Sequence, residues 1–174
     1  MIPNKLNKGD KVAIVATARA ISKQELSQAV DLLESWGLNV IFGSNLFKIE
    51  NQFAGNDEER AHDLQEMIDN KEVNAIFCAR GGYGTARIVD KIDFSNLKNN
   101  PKWIVGYSDV TSLHTHLNNL QFLTLHATMP INIPSNTKSS LKSLHNCLFN
   151  NSNSISCAGH LLNKEGVVSG EIVG

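Results

Sequence analysis

Five short apolar runs alternate with stretches of helical period along this chain, and that alternation leaves few folds open. The runs occupy residues 11–16, 38–42, 73–79, 103–106 and 122–126. They are apolar almost throughout rather than at every second position, as strands covered on both faces are. Between them, apolar residues fall on one side of a helix: Leu26, Ala29, Val30, Leu33 and Trp36, then Ala61, Leu64, Met67 and Ile68. Leu113, Leu117 and Leu120 form a third stripe, and Leu141, Leu144 and Leu148 a fourth. Ser22 and Glu25 make an S-x-x-E capping box, and Gly37 stands where a helix ends. Asn56 caps the next helix, with Asp57, Glu58 and Glu59 in its first turn, where carboxylates suit the helix dipole. Helices are also predicted over 85–92, 109–120 and 137–149, with Pro130 and Pro134 marking a loop. The fold class is α/β, a parallel sheet with helices on both faces.

The bulk numbers narrow the function classes. The formal net charge is −1 with no basic face, so no nucleic-acid partner is expected. No apolar run reaches the roughly 20 residues of a membrane helix, so no membrane partner is expected either. The first residues lack the basic-then-apolar order of a secretion signal. Cys78, Cys147 and Cys157 are odd in number and form no C-x-x-C, which reads as reduced thiols in a cytosolic chain. The 174 residues suffice for one full domain and the start of another. Residues 1–150 read as the complete α/β domain. Residues 151–174 read as a polar linker and the first strand of a second domain, because 166–174 is strand-like and apolar strands seldom end a domain unpaired.

Two segments carry candidate chemistry. One is Arg80-Gly81-Gly82-Tyr83-Gly84, at the end of the third apolar run. The other is Gly106-Tyr107-Ser108-Asp109-Val110-Thr111, at the end of the fourth. A serine on a strand-to-helix turn has its hydroxyl lifted off the sheet edge at a helix N-terminus, a position suited to a nucleophile. From the residues alone Ser108 fits a helix N-cap as well. The nucleophile-elbow pattern is partial, because Val110 replaces its second glycine. The glycine turn matches neither G-x-G-x-x-G nor a Walker A loop. It fits a tight connection, an anion site or a source of oxyanion donors. Arg80 has the planar fork that suits a substrate carboxylate. Asp109 reads as a first-turn carboxylate whose own N–H faces an oxyanion. His126, at a strand end, is the first histidine to consider as a base. His114, six residues past Ser108 on the same helix, is poorly placed for that role. The histidines show no metal-ligand spacing, and Cys78 reads as core.

Taken together these segments resemble the LD-carboxypeptidase family of serine peptidases, which includes the microcin C self-immunity peptidases. Gly9-Asp10-Lys11-Val12 resembles the family's opening strand. Phe53-Ala54-Gly55-Asn56-Asp57 with Arg60, Asp63 and Leu64 resembles its loop-and-helix element. The two turns above are its hallmark motifs, while His126-Ala127-Thr128-Met129 departs from a common H-G-P-M segment and Thr17-Ala18 from Pro-Ser. The resemblance implies a Rossmann-like domain, with Ser108 as nucleophile and the amides of Gly82 and Asp109 as oxyanion hole. Arg80, Gly81 and Tyr83 are then candidates for substrate contact, and Asp57 a weaker one. The implied reaction is hydrolysis of the L,D amide bond to terminal D-alanine in a muropeptide, in cytosolic peptidoglycan recycling. Serine chemistry of this kind needs no cofactor and no metal, and members are commonly homodimers. The family's base histidine and its glutamate partner are expected beyond residue 174. Two alternatives stand beside this reading: a microcin-C-like aminoacyl- or peptidyl-nucleotide hydrolase, and a non-catalytic muropeptide-binding module.

Overall fold

The computed structural model describes residues 1–150 and, beyond them, 152, 154, 156, 158–167 and 170. Nine regular elements follow one another: β1 (Lys11–Val15), α1 (Lys23–Ser35), β2 (Asn39–Phe42), α2 (Asp57–Asp69), β3 (Val73–Cys78), β4 (Trp103–Gly106), α3 (Thr111–Asn119), β5 (Leu125–His126) and α4 (Lys138–Asn150). The strands form one parallel sheet in the order β2-β1-β3-β4-β5. In this order the chain departs from β1 first to one side and then to the other. The crevice at the C-terminal ends of β1 and β3 is therefore the switch point where open α/β sheets hold ligands.

Side chains of each strand divide between two cores, one per face. Val12 and Ile14 of β1 pack with Leu26 and Leu33 of α1 and Leu144 and Leu148 of α4. Ala13 and Val15 point the other way and join Leu64 and Ile68 of α2 and Leu113 and Leu117 of α3. All four β1 residues are fully buried, which explains the unbroken apolar run: neither face meets water. The predicted caps form. Ser22 Oγ accepts the Glu25 N–H at 3.2 Å while Glu25 Oε2 accepts the Ser22 N–H at 2.8 Å. Asn56 and Glu59 build the same reciprocal pair. Gly37 follows α1 at φ +85°, the left-handed conformation that ends helices.

Three expectations are corrected. Residues 85–92 form two 3₁₀ turns, Thr85–Arg87 and Val89–Lys91, rather than one helix. The Thr85 N–H and hydroxyl are both tied to Asp109, and the short stretch closes by i to i+3 bonds such as Ile88 N–H to Thr85 C=O. The fifth strand is two residues long because the Phe122 N–H goes to Leu117 C=O and the Leu123 N–H to Met1 C=O. The helix after Ser108 starts as a 3₁₀ turn, Ser108–Val110, and becomes α-helical only at Thr111. The predicted strand over 166–174 and Cys157 lie largely or wholly outside the described residues. Among the described residues no helix is long and apolar enough to cross a membrane.

Candidate active site

Ser108 sits at the C-terminal end of β4 with φ +60°, a conformation that a side chain other than Gly seldom adopts. The N-cap alternative fails here. The residue preceding the turn is Tyr107, no side chain caps it, and Ser108 is exposed. Among the described residues the Ser108 hydroxyl makes no hydrogen bond. Gly106 is what lets the chain turn this sharply: a Cβ there would lie 2.8 Å from Val110 Cγ1. The strand end is pinned by the Gly106 carbonyl, which accepts from Ala127 N–H at 3.0 Å and from His114 Nε2 at 3.0 Å. His114 is therefore an anchor of the strand, as its poor placement for Ser108 foretold. Its Nδ1 is buried without a partner, and burial pushes its pKa down.

The glycine turn packs directly against this elbow. A Cβ on Gly81 would stand 3.2 Å from Asp109 Cβ and 3.6 Å from the Asp109 nitrogen. Gly82 has φ +131°, open only to glycine in practice, and Tyr83 follows at φ +65°. The Asp109 side chain does more than face a helix dipole. Its Oδ2 accepts the Gly84 N–H at 3.1 Å, the Thr85 N–H at 3.0 Å and the Thr85 hydroxyl at 2.8 Å. Among the described residues the N–H groups of Gly82 and Asp109 have no acceptor. Two unpaired donors thus lie on abutting turns, beside an exposed serine hydroxyl.

Other predicted residues are placed less freely. Arg80 donates from Nη1 to the Ala20 carbonyl at 3.2 Å and lies 3.6 Å from Glu25 Oε1, so its charge is already partnered. Tyr83 is 90% exposed. Asp57 is held by Arg60 Nη2 on one oxygen and by Arg87 Nη2 at 2.9 Å on the other, a structural use rather than a free ligand. His126 is exposed, its ring 6.2 Å from that of Tyr107, and it makes no hydrogen bond to Ser108. Cys78 is fully buried in β3, which pushes its thiol up to about 12 and leaves it inert.

Sequence reasoning gave no role to three residues that shape the site. Arg60 is 1% exposed, and its Nη1 donates to the carbonyls of Thr17 and Gly84 at 2.8 and 3.1 Å. Its guanidinium lies 4.9 Å over the Phe53 ring. A charge four residues before Leu64, on the apolar stripe of α2, was the available signal. Thr17 and Thr85 share a buried hydroxyl–hydroxyl bond of 2.8 Å across the switch point, and nothing in their spacing announced it. An open cleft of ≈360 Å³ is lined by Tyr107, His126, Thr128, Asn132 and Asn136 among others. The Tyr107 hydroxyl donates to Asn132 Oδ1 at 3.1 Å on its wall.

Comparison with known proteins accords with this geometry. A family described as LD-carboxypeptidase N-terminal domain matches residues 12–127. A probable murein peptide carboxypeptidase of Bacillus subtilis is 44% identical over 128 residues, covering 73% of this chain and 40% of that protein. A muramoyltetrapeptide carboxypeptidase structure from Oxalobacter formigenes superposes with TM-score 0.70 at 27% identity, over 78% of this chain and 47% of that one. The microcin C7 self-immunity protein MccF, in complex with aspartyl sulfamoyl adenosine, gives TM-score 0.79 at 20% identity over 86% and 47%, a likeness of fold alone. The chain spans less than half the length of each of these proteins. With both turns intact and the family match running from β1 through β5, the chain belongs to the LD-carboxypeptidase family.

Proposed function

We propose that this chain is the nucleophile-bearing half of a serine LD-carboxypeptidase that releases terminal D-alanine from murein tetrapeptide. The observation that carries the reading is Ser108 at φ +60°, exposed at a strand end beside two unpaired N–H groups. In the proposed reaction the Ser108 hydroxyl loses its proton to a base and attacks the scissile carbonyl carbon. The oxyanion that forms is held by the amides of Gly82 and Asp109. Collapse expels the D-alanine amine, which takes the proton, and water then hydrolyses the acyl-serine ester. The base and its carboxylate partner are proposed to come from outside the described residues, since no imidazole among these bonds Ser108. Residues 1–150 are the proposed nucleophile domain, the later ones leading into a second domain. A cytosolic homodimer is the proposed working form, and the chemistry draws on no metal or cofactor.

The test is D-alanine release from L-Ala-γ-D-Glu-meso-diaminopimelate-D-Ala. It is run with this chain alone and with this chain joined to the C-terminal half of the Bacillus subtilis relative. Release by the joined form, abolished by Ser108→Gly and indifferent to EDTA, is the expected result. Glycine is the chosen replacement because it accepts the backbone conformation of residue 108 without strain. Full activity in Ser108→Gly, or loss in EDTA, overturns the mechanism. Release by the chain alone would instead assign the base to His126. A joined form that ignores the tetrapeptide but cleaves an aspartyl adenylate analogue would transfer the reading to nucleotide conjugates.

A further inference from the structure

We infer that the Asp109 carboxylate is a positioning residue that locks the glycine turn in register with Ser108. The inference rests on the reading of Ser108 as nucleophile. Asp109 follows the serine directly, so its Cα cannot move without moving the elbow. Its Oδ2 takes the N–H groups of two successive residues, Gly84 and Thr85, and the Thr85 hydroxyl. A carboxylate accepting two or three donors makes charge-assisted bonds, stronger than neutral ones. The carbonyl of the same Gly84 is gripped from the other side by Arg60 Nη1. Thr85 is tied in turn to Thr17 at the end of β1. Glycine is required at 84 for this arrangement, because a Cβ would lie 2.7 Å from Ala18 Cα and 2.7 Å from Arg60 Nη1.

The consequence is geometric. Gly82 and Tyr83 both occupy left-handed backbone, and the segment from Gly81 to Tyr83 has no strand or helix to hold it. What fixes its far end is Gly84, held through its N–H by Asp109 and through its C=O by Arg60. The nucleophile and the amide of Gly82 are on different segments, yet one side chain spans them. A donor displaced by even 1 Å from a developing oxyanion costs about a hundredfold in rate. Asp109 therefore touches no reacting atom through its carboxylate. It sets where the donors stand.

The experiment has two arms. The first uses this chain and reads backbone amide exchange by NMR in wild type, Asp109→Asn and Asp109→Ala. Exchange at Gly84 and Thr85 is expected to accelerate at least about tenfold in Asp109→Ala, with α1 and β1 amides unchanged. Asn keeps one accepting oxygen without the charge, so its effect is expected to be intermediate. The second arm measures D-alanine release by the joined form. Asp109→Ala is expected to lower kcat by about a hundredfold with KM within about threefold, and Asp109→Asn to recover part of it. A merely structural role would lower the melting temperature and leave kcat of the folded enzyme intact, and that result overturns the inference. Unchanged exchange at Gly84 and Thr85 also overturns it. A wild type without activity refutes the proposed function instead, and leaves the exchange arm to judge the lock.

Discussion

Replacing Arg60 with Met is expected to destabilise the domain by about 2 kcal/mol, because it leaves the buried Thr17 carbonyl without a donor and the Gly84 carbonyl with the Arg87 N–H alone. Arg60 is 1% exposed and serves Thr17 C=O, Gly84 C=O and Asp57 at once. The one orphaned carbonyl, that of Thr17, costs about 1–3 kcal/mol. Asp57 is not orphaned, since Arg87 still holds its second oxygen. Relief from burying a guanidinium, whose pKa burial already lowers, offsets part of the loss. Met keeps most of the apolar stem against Phe53. The assay is urea unfolding followed by the fluorescence of Trp36 and Trp103. With a urea slope of about 2 kcal/mol/M, the midpoint should fall by about 1 M. Arg87→Met is the control: this side chain is 54% exposed and shares the same carboxylate and the same Phe53 ring. An exposed pair of this kind contributes under about 1 kcal/mol. An Arg60→Met protein as stable as wild type, or an Arg87→Met protein equally damaged, would refute the argument that burial and carbonyl pairing decide the cost.

Two further outcomes follow from the same geometry. Burial holds His114 below its ordinary 6.5, so the unfolded chain protonates there first as the pH drops. Stability should fall as the pH drops below 6.5, by at most about 1.4 kcal/mol per unit, until folded His114 protonates too. Unfolding midpoints between about pH 7.5 and 5 should show a flatter profile in His114→Gln, and an unchanged profile would refute the assignment. Gly82→Ala should cost about 1–3 kcal/mol because φ +131° is closed to alanine and its Cβ would run into the Arg19 side chain. Gly159→Ala, in open space, should stay within about 0.5 kcal/mol when both variants are unfolded in urea. Equal costs at the two glycines would count against the strain argument.

Most of the sheet was legible because burial on both faces leaves a plain mark, an apolar run with no polar alternation. Val12 to Val15 and Ala75 to Ala79 carry that mark, and each is buried on both sides. The caps at Ser22 and Asn56 were legible because they are local, settled within three residues. The 3₁₀ character of residues 85–91 was not, since it depends on Asp109, 24 residues away from Thr85. The shortness of β5 likewise depends on Met1 taking the Leu123 N–H. At the site, Ser108 and the glycine turn were visible as motifs. The grip of Arg60 and the Thr17–Thr85 bond were not, because they join segments through side chains whose spacing in the chain is arbitrary. Asp109 was legible as a first-turn carboxylate and for its N–H, but the bonds from its carboxylate to Gly84 and Thr85 depend on the abutting of two turns that lie apart in the chain.

The backbone of Ser108 also bears on how this position can drift over generations. A serine in left-handed backbone is held there against its own preference, so selection for stability alone would favour glycine or asparagine. Alanine would keep the strain and lose the hydroxyl, so it is the poorest substitute on both counts. A lineage that had abandoned hydrolysis but kept this domain would be expected to show glycine or asparagine at the elbow. The identity of one residue would then date the loss of chemistry separately from the loss of fold.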